Sequence, residues 1–256
     1  MWKLINRKKT LLMKNILLFI TFLLSFLSNS QTILSWNIQN LGETKFKRDS
    51  VITGLTTVIK SSGADIVAIQ EVITGPYGDS CIMKMAKILD YNYVISPRTT
   101  GEGAERYAYL YRKSITLNYS KLDASLQDSI DREPFVASFK INKQDLVIRE
   151  VHLVPTSKTP QKEVAKLYQY TDGLICGDFN LTCKHLVYIP MLKYFNSPLC
   201  GQGTSLKRDG TVSENNYDHF FIDKKYTIVE SKVFIYPYKG NRNTLSDHLP
   251  ILIKLK

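Results

Sequence analysis

Short apolar runs rich in β-branched and aromatic residues recur along the chain, and each is typical of a β-strand. We predict strands over residues 32–38, 65–72, 91–96, 106–112, 114–119, 135–141, 146–153, 174–177, 218–222, 226–235 and 249–254. This number of strands is larger than one ordinary open sheet contains. The pattern therefore indicates two sheets packed face to face around one core.

Between these strands, apolar residues recur at the three- and four-residue spacing of a helix that turns one face to a core. The three stripes are Val51, Leu55, Val58 and Ile59, then Ile82, Met85, Ala86 and Leu89, and then Val164, Leu167 and Tyr168. No internal repeat, low-complexity segment or Pro/Gly/Ser-rich linker interrupts the sequence. It therefore predicts a single α/β domain over residues 31–256, with its helices outside the two sheets.

The first thirty residues have the pattern of an export signal. Basic residues precede an apolar run over residues 16–27, and small residues close that run at Ser28 and Ser30. The run is short for a membrane span, so residues 1–30 are predicted to be a signal peptide, with an uncleaved signal anchor as the alternative. No cysteine directly follows the run, which argues against a lipoprotein anchor.

The charge of the chain is positive with or without this segment. Residues 31–256 contain 29 Lys and Arg against 23 Asp and Glu, which lowers the formal net charge from +11 to +6. A basic surface suits a polyanionic partner, although a charge of this size also fits a surface that only keeps the protein soluble. With 44% hydrophobic and 22% charged residues, the composition is that of a globular protein and excludes a disordered or fibrous chain.

The four cysteines, Cys81, Cys176, Cys183 and Cys200, all follow the predicted signal peptide, so an oxidising compartment would let disulfides persist. Cys176 falls inside a strand-like apolar run and is predicted to be a buried free thiol. Cys183 and Cys200 flank a loop and are the preferred pair among the three full pairings that four cysteines allow. No two cysteines have C-x-x-C spacing, so neither a zinc site nor a redox site is predicted.

Polar residues that are costly to bury stand at the ends of several predicted strands. They are Asn37, Glu71, His152, the pair Asp178 and Asn180, and the pair Asp247 and His248. Any one of them could be a strand end turning into solvent. Together they point to a shared site.

The residue types in this set match metal-assisted phosphodiester hydrolysis. Glu71 offers the hard carboxylate oxygen that Mg²⁺ prefers. Two histidines can serve as general base and general acid near neutral pH, each with an acidic neighbour that fixes its tautomer. The amides of Asn37 and Asn180 can orient a water or donate to a phosphoryl oxygen. His185 and His219 have no such strand-end placement and are predicted to be structural.

Five short motifs stand in the order found in the endonuclease/exonuclease/phosphatase superfamily, which the chain resembles over residues 32–256. They are Trp36-Asn37, Ile69-Gln-Glu71, His152-Leu-Val-Pro155, Gly177-Asp-Phe-Asn180 and Ser246-Asp-His-Leu-Pro250. Within the superfamily the chain is most similar to the secreted deoxyribonuclease I branch, whose segments resemble residues 37–45, 105–107, 132–134 and 177–183. The resemblance implies a four-layer α/β sandwich of two packed β-sheets with helices on the outside.

The resemblance also implies a metal site. Glu71 would bind the catalytic Mg²⁺, or Mn²⁺ in its place, with help from Asn37 and Asp247. Asp178 and Asn180 would position the water and the scissile phosphate. Ca²⁺ could be a further, structural ion.

The same resemblance makes His152 and His248 the acid–base pair. Glu105 would orient His152, unless it is an exposed loop acid, and Asp218 would orient His248.

Arg132, Tyr107 and Asn37 would contact the substrate. The alternative for Arg132 is an ion pair with Asp131 or Glu133 at the surface. The alternative for Tyr107 is packing, because it stands in an alternating strand pattern.

The chain departs from the deoxyribonuclease I branch at positions that enter the DNA minor groove. Ile73 stands where the branch has an arginine, and Gly103 where it has a tyrosine. These departures remove two contacts that the branch makes with duplex DNA and leave the catalytic residues complete. The branch's second disulfide cysteine is also missing, and Cys200 could serve as a relocated partner for Cys183.

Basic residues next to the first and last motifs are predicted to rim the site and contact DNA phosphates. They are Lys45, Lys47 and Arg48 on one side and Lys239 and Arg242 on the other.

From these observations we expect a secreted or periplasmic monomer that hydrolyses DNA and has no stable membrane association after signal cleavage. Alternatives within the superfamily are an RNase, a sphingomyelinase and a phosphoinositide phosphatase. The lipid enzymes would need a lipid-facing hydrophobic loop, which the sequence does not indicate. A non-catalytic DNA-binding module would have lost part of the histidine and carboxylate set.

Overall fold

Two six-stranded β-sheets lie at the centre of the structure, a computed structural model that describes residues 30–141, 144–235 and 245–256. In chain order the strands are β1 (Gln31–Leu41), β2 (Ile66–Ile73), β3 (Tyr91–Ile95), β4 (Glu105–Arg112), β5 (Thr116–Leu122), β6 (Phe135–Ile141), β7 (Gln144–His152), β8 (Leu174–Asp178), β9 (Phe195–Asn196), β10 (Asp218–Asp223), β11 (Ile228–Val233) and β12 (Ile251–Leu255). The first sheet has the order β11-β12-β1-β2-β4-β3 and the second the order β5-β6-β7-β8-β10-β9.

The helices cover the outer faces of the two sheets. They are α1 (Glu43–Phe46), α2 (Asp49–Ser62), α3 (Pro76–Leu89) and α4 (Pro160–Lys166). The buried stripes of α2 and α3 pack on one face of the first sheet, and α4 packs with several 3₁₀ turns on one face of the second sheet. The two remaining sheet faces pack against each other. The four-layer α/β sandwich implied by the resemblance is therefore confirmed.

Successive side chains of a strand point to opposite faces of the sheet, so each central strand contributes buried residues to two layers. In β1, Ile33 packs between the sheets, whereas Leu34 and Trp36 face the helices. In β8, Cys176 lies between the sheets and Ile175 faces the helical layer of the second sheet. Because both faces of these central strands are buried, they appear in the sequence as nearly continuous apolar runs.

Each predicted strand overlaps an observed one, with ends that differ by no more than three residues. The sequence missed the two-residue strand β9, which is too short to show an alternating pattern. The predicted helical stripes correspond to α2, α3 and the run formed by α4 and the turn after it.

The predicted disulfide and the predicted free thiol at Cys176 are confirmed. Cys183 and Cys200 form a disulfide, with a Cα–Cα distance of 5.4 Å. Cys176 is a buried free thiol, and so is Cys81.

Gln31–Lys256 form one compact unit. The predicted signal peptide, apart from Ser30, lies outside the described residues, as do Lys239 and Arg242. In the part of the chain that the structure describes, no helix is long and apolar enough to cross a membrane.

Candidate active site

Strand pairing brings the predicted site residues to one edge of the sandwich. The parallel pair β7–β8 sets His152 beside Asp178, and the antiparallel pair β8–β10 sets Asp178 beside Asp218. In the first sheet, β1 and β2 are also parallel, and Asn37 and Glu71 lie in their C-terminal halves. Since parallel strands end at the same edge of a sheet, the polar residues converge there.

Unusual backbone conformations aim two of these residues into the site. Glu71 has φ +62° at an irregularity in β2, and Asn180 has φ +50° directly after β8. Gly177 has φ +137°, and a Cβ there would lie 1.9 Å from the carbonyl oxygen of Val151. Only glycine fits at that position, just before Asp178. Residues held in sparsely populated conformations cluster at functional sites.

Asp178 lies at the centre of the site and is buried. Its Oδ2 atom is 3.6 Å from Nε2 of His152 and 3.5 Å from Nε2 of His248. The same oxygen accepts a hydrogen bond from Nδ2 of Asn37 at 3.1 Å. The imidazole of His152, at the end of β7, and that of His248, in the segment before β12, therefore face one carboxylate oxygen.

Each histidine carries a second carboxylate on its other ring nitrogen. Nδ1 of His152 is 2.8 Å from Oε2 of Glu105, and Nδ1 of His248 is 2.9 Å from Oδ2 of Asp218. An ionised carboxylate at Nδ1 fixes the proton there and leaves Nε2 as the reactive nitrogen. Both orienting residues predicted from the resemblance lie at the predicted histidines.

The charges at the site alter two pKa values. Burial alone would raise the pKa of Glu105, but the hydrogen bond and charge of His152, with the charge of Arg132, hold that pKa below its ordinary value. Burial alone would lower the pKa of His248, but the carboxylates of Asp218 and Asp178 outweigh burial and raise it well above its ordinary value. Both shifts favour the charged form of the group.

Asn37 presents its amide nitrogen to the carboxylates. Its Nδ2 donates to Oε1 of Glu71 at 2.7 Å, while its Oδ1 accepts a hydrogen bond from the backbone N–H of Gln39 at 2.9 Å. The Gln39 N–H can only donate, so this orientation of the amide is the one that the hydrogen bonds require. Asn37 therefore turns its nitrogen toward Glu71 and Asp178, and its Oδ1 keeps one lone pair beside the bond from Gln39, so its role as a metal ligand stays a prediction.

Glu71 and Asp178 are the residues that fit a hard divalent cation. Both lie within hydrogen-bonding distance of Asn37, and neither forms an ion pair with a lysine or arginine of the described residues. Asp178, Asp218 and His248 could also gather around a cation, since one ligand atom of each lies within 4.8 Å of the others. In this second group, however, Asp218 and His248 already bind each other. Carboxylate oxygens are the donor set that Mg²⁺ and Mn²⁺ prefer.

Asp247 and Asn180 flank this centre. Asp247 is half-buried, and its charge contributes to the raised pKa of His248. Asn180 donates from its backbone N–H to Oδ1 of Asp178 at 2.8 Å and from Nδ2 to the carbonyl oxygen of Leu153 at 3.0 Å. Asn180 thus fixes the orientation of Asp178.

The side chains of Arg132 and Tyr107 are buried and form hydrogen bonds with the backbone of His152, so substrate cannot contact them. The Arg132 side chain is 8% exposed, and its guanidinium donates to the carbonyl oxygens of His152 at 2.7 Å and Leu153 at 2.8 Å. Tyr107 is 2% exposed, and its hydroxyl accepts a hydrogen bond from the backbone N–H of His152 at 3.0 Å. These contacts correct the predicted substrate contacts of both residues. Arg132 also forms an ion pair with Asp131, with 3.1 Å between Nη1 and Oδ2, so the alternative of a pair with Asp131 is confirmed, although the Arg132 side chain is buried.

Lys45 is also placed differently from its prediction. Its ammonium group donates to the carbonyl oxygens of Ile38 and Leu245 instead of extending to the rim. Burial lowers the pKa of Lys45 to about 8, against the raising effect of Glu71 and Asp247. Lys45 therefore joins the segment after Asn37 to the segment before His248. Lys47 and Arg48 are exposed, and Lys47 forms an ion pair with Glu43.

Two hydroxyl groups position the histidine and aspartate of the second half of the site, and the sequence assigned a role to neither. Ser246 Oγ donates to the carbonyl oxygen of Asn37 at 2.6 Å and accepts the backbone N–H of His248 at 3.0 Å. Thr204 Oγ1 accepts the backbone N–H groups of Tyr217 and Asp218, each at 3.0 Å. The motif position of Ser246 was a usable signal, whereas Thr204 stands in a loop without one.

His219 lies away from this cluster in spite of its position beside Asp218. It is fully buried, its Nε2 lies 2.7 Å from the carbonyl oxygen of Leu181, and burial lowers its pKa to about 4. A neutral, packed imidazole confirms the prediction of a structural residue. His185 is exposed, and its Nδ1 accepts the backbone N–H of Val187.

A buried polar pair lies between the sheets, next to the site residues along the chain. Gln70 Nε2 donates to Oε1 of Glu150 at 2.7 Å, and both side chains are fully buried. Burial raises the pKa of Glu150 well above its ordinary value, against the lowering effect of the hydrogen bond from Gln70. Among the described residues, Glu150 Oε2 and Gln70 Oε1 have no hydrogen-bond partner. A neutral carboxylic acid costs less to bury without an ion-pair partner than a charged carboxylate does, so Glu150 is protonated in the folded protein.

The Glu150→Gln variant should become more stable than the wild type as the pH rises. Because the folded-state pKa is raised, the unfolded wild-type chain releases this proton first, from about pH 4 upward. The unfolding free energy of the wild type should then fall relative to the variant by up to about 1.4 kcal/mol per pH unit, until the pH reaches the folded-state pKa. Urea denaturation at a series of pH values measures this difference.

The control for this prediction is Glu214→Gln, which changes an exposed carboxylate. The difference in unfolding free energy between Glu214→Gln and the wild type should not change with pH. A constant difference for Glu150→Gln would contradict the neutral state of Glu150.

The sequence model of the Endonuclease/Exonuclease/phosphatase family matches residues 34–248, which is most of the chain. The chain belongs to this family. Its members are hydrolases, and the matched region contains both histidines and all of the carboxylates around them.

The relatives of this family member include deoxyribonucleases at modest identity. Deoxyribonuclease-1-like 1 of Sus scrofa is 30% identical over 192 residues, and Deoxyribonuclease-1 of Homo sapiens is 27% identical over 186 residues. These matches cover 66% and 61% of this chain and 59% and 63% of those proteins. The chain thus matches less than two thirds of the length of either relative.

Solved structures confirm the family fold. An endonuclease/exonuclease/phosphatase family protein from Bacteroides thetaiotaomicron has a TM-score of 0.70 and 16% identity, covering 89% of this chain and 97% of that one. A mannosyl-6-phosphatase from the same organism has a TM-score of 0.68 and 17% identity, covering 88% and 99%. At such identities the likeness shows the fold alone.

Proposed function

We propose that this family member is a divalent-metal-dependent endonuclease that hydrolyses the phosphodiester bonds of DNA. The observation that carries the proposal is the pair of histidines, His152 and His248, whose Nε2 atoms both lie about 3.5 Å from one Asp178 oxygen. Each histidine is oriented by its own carboxylate. Two oriented imidazoles facing one point can remove a proton from a water and deliver one to a leaving oxygen.

The residues of the chain divide the work of hydrolysis. His152 and His248 exchange protons at Nε2, while Glu105 and Asp218 hold the imidazole rings through Nδ1. Asp178 lies between the two rings and orients the attacking water. Glu71 and Asp178, with Asp247 nearby, would hold the cation, which would stabilise the negative charge that develops on the phosphoryl oxygens.

The choice of DNA as substrate draws on two observations. The relatives with the stated identities are deoxyribonucleases. Residues 31–256 are also basic, which suits a polyanion. An RNase, a sphingomyelinase and a phosphoinositide phosphatase are the competing enzymes, and the mannosyl-6-phosphatase with the same fold shows that substrates in the family vary.

A substrate panel tests the proposal. Purified residues 31–256 should be incubated with plasmid DNA, RNA, sphingomyelin and a phosphoinositide, each with Mg²⁺, with Mn²⁺ and with EDTA. We expect nicking of plasmid DNA with either cation and none with EDTA. Cleavage of a lipid substrate without cleavage of DNA would reject the proposal in favour of the lipid enzymes, and binding of DNA without cleavage would favour a non-catalytic module.

We also propose that residues 1–30 direct export to the periplasm or the medium and are then removed. The disulfide Cys183–Cys200 supports an oxidising compartment. Mass spectrometry of the protein recovered from an exporting bacterial host should find an N-terminus at Gln31. A retained N-terminal segment would favour the signal anchor.

The preference for duplex DNA should be weak and the activity should fall steeply with salt. Ile73 and Gly103 replace the two groups that grip the minor groove in the branch that the chain resembles, so binding would rely on phosphate contacts, which release counterions. Matched duplex and single-stranded oligonucleotides, cleaved across a salt series, measure both properties. A salt-independent rate on duplex DNA would contradict this account.

Introducing the arginine and the tyrosine that the chain lacks tests the predicted weak preference for duplex DNA from the opposite direction. Ile73 is half-buried and pairs with Glu105 in the sheet, and a Cβ on Gly103 would meet no atom closer than 3.5 Å, so there is room for a side chain at residue 103. The variant Ile73→Arg/Gly103→Tyr should therefore cleave duplex DNA at least about tenfold faster relative to single strands. Ile88→Arg adds the same charge at an exposed position near the other end of α3 and should leave the ratio unchanged.

A further inference from the structure

A stripe of exposed aliphatic side chains crosses the outer surface of the second sheet. Leu186 is 76% exposed, Ile189 is 60% exposed and Leu192 is 41% exposed. We call these three residues the Leu186 stripe. Exposed apolar residues scattered singly are normal on a protein surface, but a cluster of them marks an interaction site.

The backbone of this segment places the three side chains on one face. Two 3₁₀ helices, Leu186–Tyr188 and Met191–Lys193, are joined by Ile189 and Pro190 in helical conformation. A 3₁₀ helix has about three residues per turn, so residues three apart point in the same direction. The opposite face carries Tyr188 and Met191, both 1% exposed.

The segment is held firmly against the protein. The disulfide Cys183–Cys200 closes it at both ends, and the Tyr188 hydroxyl donates to the carbonyl oxygen of Leu181 at 3.1 Å. Because the buried face already supplies the packing, the exposed face is available for another surface. A rigid apolar stripe also loses little conformational entropy on binding.

The charge around the stripe is positive. The segment closed by the disulfide contains no Asp or Glu, and Lys184 and Lys193 stand just outside the two ends of the stripe. The Lys224 ammonium lies next to it, donating to the carbonyl oxygen of Lys193 at 3.1 Å. Tyr194, 37% exposed, has its ring 5.2 Å from the Lys193 ammonium.

We propose that the Leu186 stripe and these lysines dock the protein on an anionic phospholipid surface. Aliphatic side chains that enter the acyl boundary, with lysines at the headgroup level, are the pattern of proteins that lie on a membrane. Tyrosine beside the stripe suits the same boundary. Three side chains are also few for a stable protein interface, which involves about 20 residues on each side.

The proposal runs against the expectation of no membrane association. The sequence did not reveal the stripe, because Leu186, Ile189 and Leu192 alternate with buried apolar residues and the whole segment resembles a core element. The proposal does not depend on the proposed nuclease activity, since docking uses none of the site residues.

Co-sedimentation with vesicles tests the proposal. Purified residues 31–256 should be mixed at low salt with vesicles of phosphatidylcholine alone and of an equal mixture of phosphatidylcholine and phosphatidylglycerol. We expect binding to the mixed vesicles that weakens with salt, and little binding to the neutral ones. The variants Leu186→Ser/Ile189→Ser and Lys184→Glu/Lys193→Glu should each bind at least about tenfold more weakly.

The matched control is Met83→Ser/Ile88→Ser on α3, on the outer side of the other sheet. Both residues are 51% exposed, so this variant removes as many exposed apolar side chains and should bind vesicles as the wild type does. Equal loss in the control, or no binding of the wild type at low salt, would overturn the proposal. So would a dimer in sedimentation velocity that only Leu186→Ser/Ile189→Ser dissociates, because a second copy would then cover the stripe.

Discussion

Replacing Glu71 with alanine should slow phosphodiester cleavage at least about a hundredfold, which is the usual loss for one electrostatic stabiliser of a transition state. The Glu71 carboxylate is fixed by two donors, Nδ2 of Asn37 at 2.7 Å and the backbone N–H of Asn40 at 2.8 Å. Without the Glu71 carboxylate, a cation at this site would keep Asp178 but lose one of its carboxylate ligands. The loss should appear in kcat, measured on a fluorescent oligonucleotide with saturating Mg²⁺.

Direct binding of Mn²⁺, followed by electron paramagnetic resonance, separates the metal site from other causes of inactivity. Glu71→Ala should bind Mn²⁺ at least about tenfold more weakly than the wild type. Glu43→Ala is the control, because Glu43 is an exposed carboxylate paired with Lys47 and lies outside the site. Near-normal turnover by Glu71→Ala, or full wild-type activity in EDTA, would refute the metal assignment.

His152→Ala and His248→Ala should each reduce cleavage by a factor of about 10² to 10⁴, and the double variant should be barely worse than either single one. The reason is that the two imidazoles act as one unit around Asp178, with one removing a proton while the other delivers one. Once one histidine is absent, the second has no partner for the transfer. Single-turnover cleavage rates of the three variants give the comparison.

The pH dependence of the rate provides a second measurement on the same pair. Because the two histidines are needed in opposite protonation states, the wild-type profile of kcat should be bell-shaped, with apparent pKa values that belong to the pair. Each single variant should lose one side of the bell.

His185→Ala is the matched control, since this exposed histidine lies outside the site and should leave both the rate and the profile unchanged. Fully multiplicative losses in the double variant would show that the two histidines act independently.

The strands and the candidate site could both be predicted from the sequence, and for the same reason. Alternation of side chains is a local property of a strand, so the apolar runs around Asn37, Glu71, His152 and Asp178 show where those strands end. Polar residues at the ends of such runs then identify the edge at which they meet. The two-residue strand β9 and the 3₁₀ turns after Cys183 have no comparable periodic signal.

The partners of individual side chains depend on contacts between distant segments, and here the sequence was a weaker guide. Arg132 is a cation beside the candidate active site, yet carbonyl groups from β7 and the residue after it, with the carboxylate of Asp131, take up its donors. Lys45 likewise donates to a carbonyl group 200 residues away in the chain. A buried cation needs acceptors on all sides, and no local pattern shows where a fold will provide them.

By itself, the sequence determined the two-sheet architecture, the free thiol at Cys176 and the set of acids and histidines gathered at one edge. These follow from strand periodicity and from the cost of burying polar groups, and both are properties of short segments. Only the tertiary structure decided that Asn37 turns its nitrogen toward the carboxylates, that Tyr107 supports the backbone of His152, and that the Leu186 stripe faces outward. Each of these depends on which group a neighbouring element places opposite the side chain, and packing across the core fixes that choice.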